Sequence, residues 1–354
     1  MFKILANTIK SAFTESPEAK AEKDFESLHM SLYGGGSVDL VREKVKGGFD
    51  LNCTNKEGYT LLEYEVRFSQ LTNLNRLHQI KELISLGANP NHSGTVNHGC
   101  LYLAIDNINN IDTDIIRVLL DAGVEYNSVN LEVNYSKKYG FSIQAESILD
   151  FAIYQCWFDV RESKTSAKIE FPENNLFWEC PTTDLRIQLL DELSTKYHKK
   201  RPEMLFLLRE QGALSLSEIF ENNSINYLKY DDLSLQVYDL DFNLVQELLN
   251  NGFDFNALET EGILGNTNTV YDLVSKTYYE KVWCDGLFNR FPKDIWPENY
   301  LNTDIWLEFL DELAIKYKKP RPDILRLLKK HGALSLPELL KKNAIPFTVH
   351  ASIY

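Results

Sequence analysis

Histidine and cysteine are the residue types that would first reveal a metal site in this sequence. His92, His98 and Cys100 lie close together, and imidazole and thiolate groups are the ligands that Zn²⁺ prefers. These three residues do not form paired ligand spacings, however, and none of the seven histidines belongs to an H-E-x-x-H motif. We therefore interpret them as turn and helix residues, and the sequence predicts neither a bound metal nor another cofactor.

Carboxylates and glycines offer the other possibilities for catalysis. Asp191–Glu192 and Asp311–Glu312 are adjacent pairs on predicted helices, and side chains one position apart on a helix do not face each other. The glycine run 34–36 lacks the Lys-Ser/Thr ending of a nucleotide-binding loop, and no G-x-S-x-G motif is present. The sequence therefore predicts that the protein is not an enzyme.

Charge limits the classes of partner. The chain has 37 basic and 51 acidic residues, which gives a formal net charge of −14. Such a charge repels nucleic acid and anionic lipid and favours a basic partner, although it also serves solubility alone. The basic stretches 199–201 and 318–321 could hold a phosphate, but cations are also favourable at the C-terminal end of a helix. We expect a protein partner, and neither nucleic acid nor a membrane.

The cysteines and the N-terminal segment predict the compartment. Five cysteines without a C-x-x-C spacing favour buried, reduced thiols over a disulfide framework. Residues 1–37 contain no apolar run strong enough for a secretion signal or long enough for a membrane helix. We interpret them as an N-terminal helix and linker, and we expect a cytoplasmic location.

A short unit recurs along the rest of the chain. In each copy, an amphipathic helix is followed by glycine and then by a polar stretch that closes on asparagine. The copies end at Asn52, Asn91, Asn127 and Asn256. The glycine supplies the left-handed residue that ends the helix, and a helix of about ten residues does not form alone in water. The units must therefore stack on one another, and we predict a single repeat region over 38–354.

The segments that precede these units carry a family resemblance. YTLLEYEV from Tyr59, SILDFAI from Ser147 and TVYDLVS from Thr269 resemble the T-P-L-H-x-A opening of ankyrin repeats. Asp150 and Asp272 stand at the histidine position. The chain is thus similar to ankyrin-repeat proteins of a degenerate bacterial type. The resemblance implies an all-α, ankyrin-like helical-repeat solenoid whose concave face binds macromolecules. Another solenoid of helical pairs is the alternative.

A larger duplication is superimposed on the repeat. LLREQGALSLSE from Leu207 returns as LLKKHGALSLPE from Leu327. The two phrases belong to modules that we predict at about 128–223 and 257–343, and each module adds inserted loops and an extra helix. We interpret the oxygen side chains of Thr183-Asp184 and Thr303-Asp304 as the N-caps of these extra helices.

Aromatic and acidic residues of the inserted loops and of the first helices form the candidate partner-binding set. Trp and Tyr dominate the hot spots of protein interfaces, and acidic side chains suit a basic partner. The set is Tyr59, Glu63, Asp106, Tyr154, Trp157, Asp159, Trp178, Trp283, Asp285 and Trp296. The alternative interpretation is that the inserted loops fold back and bury their rings against the extra helix.

The resemblance also extends to function. The phrase LDELSTKYHKKRPEMLFLLREQGALSL is similar to those of bacterial ankyrin proteins, some of which neutralise a secreted toxin. This resemblance implies a cytosolic immunity protein that binds a basic toxin and occludes it. A bacterial effector or scaffold that recruits another protein is the alternative, and the sequence leaves the oligomeric state open.

Overall fold

The structure is a computed structural model. It describes residues 17–33, 38–68, 73–92, 99–106, 112–136, 140–161, 177, 180–225, 242–260, 267–283 and 302–353. The chain divides into two compact units, Met1–Glu125 and Tyr126–Tyr354. The described residues are mainly helical, which confirms the predicted class at that level.

The first unit is built from short helices in pairs. Its helices are α1 (Pro17–Tyr33), α2 (Asp39–Lys46), α3 (Leu61–Phe68), α4 (Asn73–Ser85), α5 (Gly99–Asp106) and α6 (Thr113–Asp121). The helix α3 packs on α1 and on α5, while α4 packs on α6. Leu28, Leu62 and Ile116 are fully buried between these helices. The packing supplies the burial that such short helices need.

Glycine ends the second helix of each pair, as predicted. Gly48, Gly87 and Gly123 have φ values of 92°, 105° and 79°. A residue with a Cβ atom is strained in this left-handed region, whereas glycine is not. The glycines therefore turn the chain out of each helix and into the polar stretch that follows.

The asparagine that closes one repeat forms hydrogen bonds with the glycine turn of the next repeat. Asn91 Nδ2 donates to the carbonyl of Gly123 at 2.9 Å, and its Oδ1 accepts from the backbone N–H of Glu125 at 2.6 Å. Asn52 makes the same pair of hydrogen bonds with the turn at Gly87. Each asparagine thus satisfies one backbone donor and one backbone acceptor of its neighbour.

The second unit contains two modules with the same order of elements. The first consists of β1 (Val129–Ser136), β2 (Gly140–Ser147), α7 (Ile148–Arg161), α8 (Thr183–Lys196), α9 (Glu203–Glu210) and α10 (Leu216–Asn222). After α11 (Phe242–Asn250), the second consists of β3 (Leu258–Thr260), β4 (Thr267–Thr269), α12 (Val270–Trp283), α13 (Thr303–Tyr317), α14 (Asp323–Lys330) and α15 (Leu336–Lys342). The strand β5 (Phe347–Ile353) follows. The extra helix of each module is α8 or α13.

The strands are the part of the second unit that the sequence does not predict. The hairpin β1–β2 is antiparallel, from the pair Val129 and Ser147 to the pair Ser136 and Gly140, and β3–β4 is a shorter hairpin of the same kind. The strand β5 returns to the first hairpin and runs parallel to β1, with Phe347 opposite Val129. The order of this sheet is β2-β1-β5.

An apolar core joins the two modules of the second unit. Val129 and Leu131 of β1 share it with Tyr271 of α12, Leu310 of α13 and Leu328 of α14, and all five are fully buried. The strand β2 packs on α10 of its own module and on α12 of the other. The first hairpin is therefore shared structure, although it belongs to one module in sequence.

The N-caps of the extra helices lie one residue earlier than predicted. Thr182 caps α8 and Asn302 caps α13, each by accepting a backbone N–H of the first turn. Thr183 and Thr303 are instead buried, and Thr183 Oγ1 donates to Ser215 Oγ at 3.0 Å. Thr183 thus links the extra helix to the N-cap of α10, whereas Thr303 Oγ1 hydrogen-bonds to Glu338 of α15 at 2.5 Å.

Candidate partner-binding surface

A buried carboxylate fixes the start of α7. Asp150 Oδ2 accepts hydrogen bonds from the hydroxyl of Ser147 at 2.8 Å and from the backbone N–H of Leu216 at 2.6 Å. Burial raises the pKa of Asp150, and these hydrogen bonds oppose the rise. Asp272 holds the start of α12 through equivalent bonds. Because Asp150 ties α7 to the first residue of α10, it helps to set which face of α7 points outward.

Two aromatic rings lie on the outer face of α7. Tyr154 and Phe158 are one helical turn apart, so they are neighbours on the helix surface, and their ring centroids are 6.4 Å apart. The two residues are 36% and 37% exposed. Asp159 follows them with a side chain that is 46% exposed, and its carboxylate lies 4.0 Å from Lys199 Nζ. The result is an exposed aromatic pair with a carboxylate at its edge, which we call the α7 surface.

Trp157, on the same helix, faces the interior. It is 2% exposed, and its ring stacks on that of Phe177 with centroids 4.2 Å apart and planes 6° apart. The guanidinium of Arg186, on α8, lies over the ring of Phe177, 6.0 Å from its centroid. The alternative interpretation of the aromatic loop therefore holds for Trp157 and Phe177, because their rings fold back against the extra helix. The burial of Trp157 argues against direct contact with a partner.

Two candidates of the first unit are also buried. Glu63 Oε2 accepts from the backbone N–H of Thr60 at 2.7 Å, and Thr60 Oγ1 accepts from the N–H of Glu63 at 3.2 Å. This is a capping box at the start of α3. Tyr59 is 8% exposed and hydrogen-bonds through its hydroxyl to Arg67. Tyr59 and Glu63 thus serve the fold of the first unit, whereas Asp106, at the end of α5, is exposed.

Four candidates belong to the aromatic loops of the two modules. Trp178, Asp285 and Trp296 lie outside the described residues. Trp283 is the last residue of α12, but the structure does not describe its side chain. These four residues stay predictions.

The arginine of each basic stretch that follows an extra helix is paired with a carboxylate of that helix. Arg201 donates from Nε and Nη2 to the two oxygens of Asp191, at 2.7 and 2.6 Å. Arg321 makes the same bidentate contact with Asp311. Hydrogen bonds from these guanidinium groups hold the pKa of each aspartate below its usual range. The arginines are thus used to close a turn, in agreement with a structural interpretation of these stretches.

Phe158 is the member of the α7 surface that the candidate set leaves out. Its spacing of four residues from Tyr154 would have indicated a shared helical face. The sequence does not show which of two neighbours, Trp157 or Phe158, points inward, because the packing of Phe177 decides it.

Among the described residues, no group of three or more His, Cys, Asp or Glu side chains is arranged to hold a metal ion. Nor does any helix in the described ranges have the length and apolar character needed to cross a bilayer. No protein-family model matches the chain, and no curated protein matches it at a significant level.

Proposed function

We propose that this chain is an ankyrin-type repeat protein that binds a protein partner through the α7 surface. The observation that carries the proposal is the exposed ring pair of Tyr154 and Phe158 with Asp159 at its edge. Aromatic residues that become fully desolvated at the centre of an interface are the usual hot spots, and polar residues form the rim.

The way in which α7 is held supports this use. Asp150 fixes the start of the helix, and the stack of Trp157 on Phe177 fixes its inner face. A rigid helix loses little conformational entropy when it binds, so more of the contact energy appears as affinity. The aromatic pair is therefore a preorganised feature of the second unit.

We further propose that the partner is a basic toxin, which the protein neutralises by occlusion. The net charge of −14 favours association with a basic protein, and Asp159 adds a local carboxylate to the aromatic pair. Occlusion requires only that a surface covers the functional site of the toxin. Recruitment of another protein by an effector or scaffold would use the same surface, and the partner's own activity distinguishes the two.

Affinity capture with a matched variant tests the binding surface. We expect tagged wild-type protein to retain its partner from lysate of the native cell, and the double variant Tyr154→Ala/Phe158→Ala to lose it. With the purified partner, the loss should be about thirtyfold or more in Kd, since hot-spot truncations cost about 2 kcal/mol or more. Phe242→Ala is the control, because Phe242 is 44% exposed but lies on α11. Equal retention by the double variant would exclude the α7 surface.

Co-expression tests the role in toxin neutralisation. The captured partner, expressed alone, should arrest growth of a host cell. Wild-type protein should restore growth, and the double variant should fail to do so. A partner that does not harm the cell would instead favour the effector or scaffold function.

A further inference from the structure

The extra helix of the second module exposes a stripe in which two glutamates lie between two isoleucines. Ile305, Glu308, Glu312 and Ile315 are all exposed, and the two isoleucines are 43% and 63% exposed. Their spacings of three, four and three residues place them on one face of α13. The isoleucines are ten residues apart, which corresponds to roughly 15 Å along the helix axis. We call these four residues the α13 stripe.

The two glutamates of the stripe differ from the carboxylates on and next to α13 that form ion pairs. Asp304 and Glu338 pair with Lys329 at 3.4 and 3.3 Å, while Asp311 pairs with Arg321 and Arg326. Within the described residues, neither glutamate of the stripe has a basic partner. The nearest cation on the helix, Lys316, lies over the ring of Tyr317 at 5.1 Å instead.

The first module provides a natural comparison. The equivalent face of α8 carries Leu185, Gln188, Glu192 and Thr195, and all four are exposed. Here the apolar side chain is present at one end only, and Gln188 Nε2 donates to Glu192 Oε1 at 3.5 Å. Two copies of one helix thus share a fold, but only α13 has glutamates without partners between two exposed apolar residues.

We propose that the α13 stripe is a docking surface for an amphipathic helix of a protein partner, one that carries lysine or arginine between two apolar side chains. Charge complementarity supports this occupant, since cations between the apolar residues would pair with Glu308 and Glu312 while the isoleucines become buried. The proposal rests on the proposed function only in that both concern protein binding, and it adds a surface on a different helix and module.

A synthetic peptide probes the surface directly. The probe is a fluorescein-labelled helix of about 18 residues, long enough to cover the stripe, with lysines between two leucine clusters. Fluorescence anisotropy with the full chain should show binding that weakens with salt. The double variant Glu308→Gln/Ile315→Thr should bind the peptide at least roughly tenfold more weakly than the wild type, because it loses a charge and an anchor. Since these residues occur at the same positions of α8, the variant is expected to fold, and circular dichroism checks that it does.

Two controls separate this proposal from the α7 surface. The variant Tyr154→Ala/Phe158→Ala should bind the peptide as the wild type does, whatever its effect on toxin binding. A peptide with glutamate in place of lysine should not bind. Equal binding of the lysine peptide to wild type and to Glu308→Gln/Ile315→Thr, or no binding to wild type, would overturn the proposal. Self-association of the wild type that the same variant abolishes would also overturn it, in favour of a second copy as the occupant.

Discussion

Asn127 holds the backbone of Gly212, which lies 85 residues further along the chain. Its Nδ2 donates to the carbonyl of Gly212 at 3.3 Å, and its Oδ1 accepts from the N–H of Leu214 at 2.9 Å. Asn256 makes the same two bonds with the turn at Gly332, 76 residues later. In the first unit the equivalent bond of Asn52 spans 35 residues. The hydrogen-bond pair therefore preserves the contact between consecutive repeats even where inserted elements lengthen the chain between them.

The first prediction concerns this join. Asn127→Ala leaves the carbonyl of Gly212 and the N–H of Leu214 without their side-chain partner. We expect the free energy of unfolding to fall by about 1 kcal/mol, because the N–H of Leu214 is part-buried while the exposed carbonyl of Gly212 can bond to water instead. Urea denaturation of the full chain, followed by tryptophan fluorescence, measures the change.

Asn222→Ala is the matched control for Asn127→Ala. Asn222 is exposed at the end of α10, so its replacement should change stability by no more than about 0.5 kcal/mol. Similar losses for the two variants would mean that the hydrogen-bond pair does not hold the turn.

The second prediction concerns the glycine turn itself. Gly332 has φ of 83°, and a Cβ atom added there would meet nothing within 4 Å. Any loss on substitution must therefore come from backbone strain rather than from a clash. We expect Gly332→Ala to cost about 1–2 kcal/mol, and Gly332→Asn to cost less because asparagine tolerates the left-handed region better. Thermal unfolding of the two variants gives the order, and an alanine variant as stable as the asparagine variant would contradict it.

The repeat unit could be predicted because its signals are local. A helix of about three turns and a glycine two residues after its end lie within a single window of sequence, and the positive φ values at Gly212, Gly252 and Gly332 agree with that interpretation. The binding role of asparagine was not predicted, because its partners lie in the next unit. Only the recurrence of asparagine was visible.

The sheet and the inward rings depend on distant contacts. Thr348 Oγ1 donates to Asn130 Oδ1 at 2.7 Å, although the two residues are 218 positions apart in the sequence. The sequence around each residue does not indicate that the two strands pair in parallel. Similarly, Trp157 is buried by Phe177, which stands outside its helix. The sequence of α7 alone therefore could not show that Trp157 points inward while Tyr154 and Phe158 point outward.

The third prediction is a pH dependence at the turn after α8. The hydrogen bonds from Arg201 hold the pKa of Asp191 below its usual range. A carboxyl group with a lowered pKa in the folded state adds stability above its unfolded pKa of about 4, and that stability is lost as the pH falls through the lowered pKa. We expect Asp191→Asn to be less stable than the wild type at pH 7, and the difference to shrink below about pH 4.

Thermal unfolding between neutral and acidic pH measures that difference. Glu192→Gln is the control, because Glu192 is the exposed neighbour of Asp191 and contacts no arginine among the described residues. A difference between wild type and Asp191→Asn that stays constant down to the lowest pH would show that the ion pair does not contribute through the charge of Asp191.

The last prediction uses Cys156 to report on α7. This cysteine lies between Tyr154 and Phe158 in sequence, and although it keeps some exposure, burial raises the pKa of its thiol to about 12, with Asp159 adding to the rise. Because the thiolate is the reactive form, alkylation at pH 8 should be on the order of a thousandfold slower in the folded chain than in urea. Iodoacetamide labelling followed by peptide mass spectrometry measures both rates. Asp159→Asn should speed the labelling of the folded chain slightly, since it removes one of the two causes that raise the pKa of Cys156. Equal rates in the folded and unfolded chain would mean that α7 is not packed as described, and the α7 surface would then lose the rigid support on which its proposed role in binding depends.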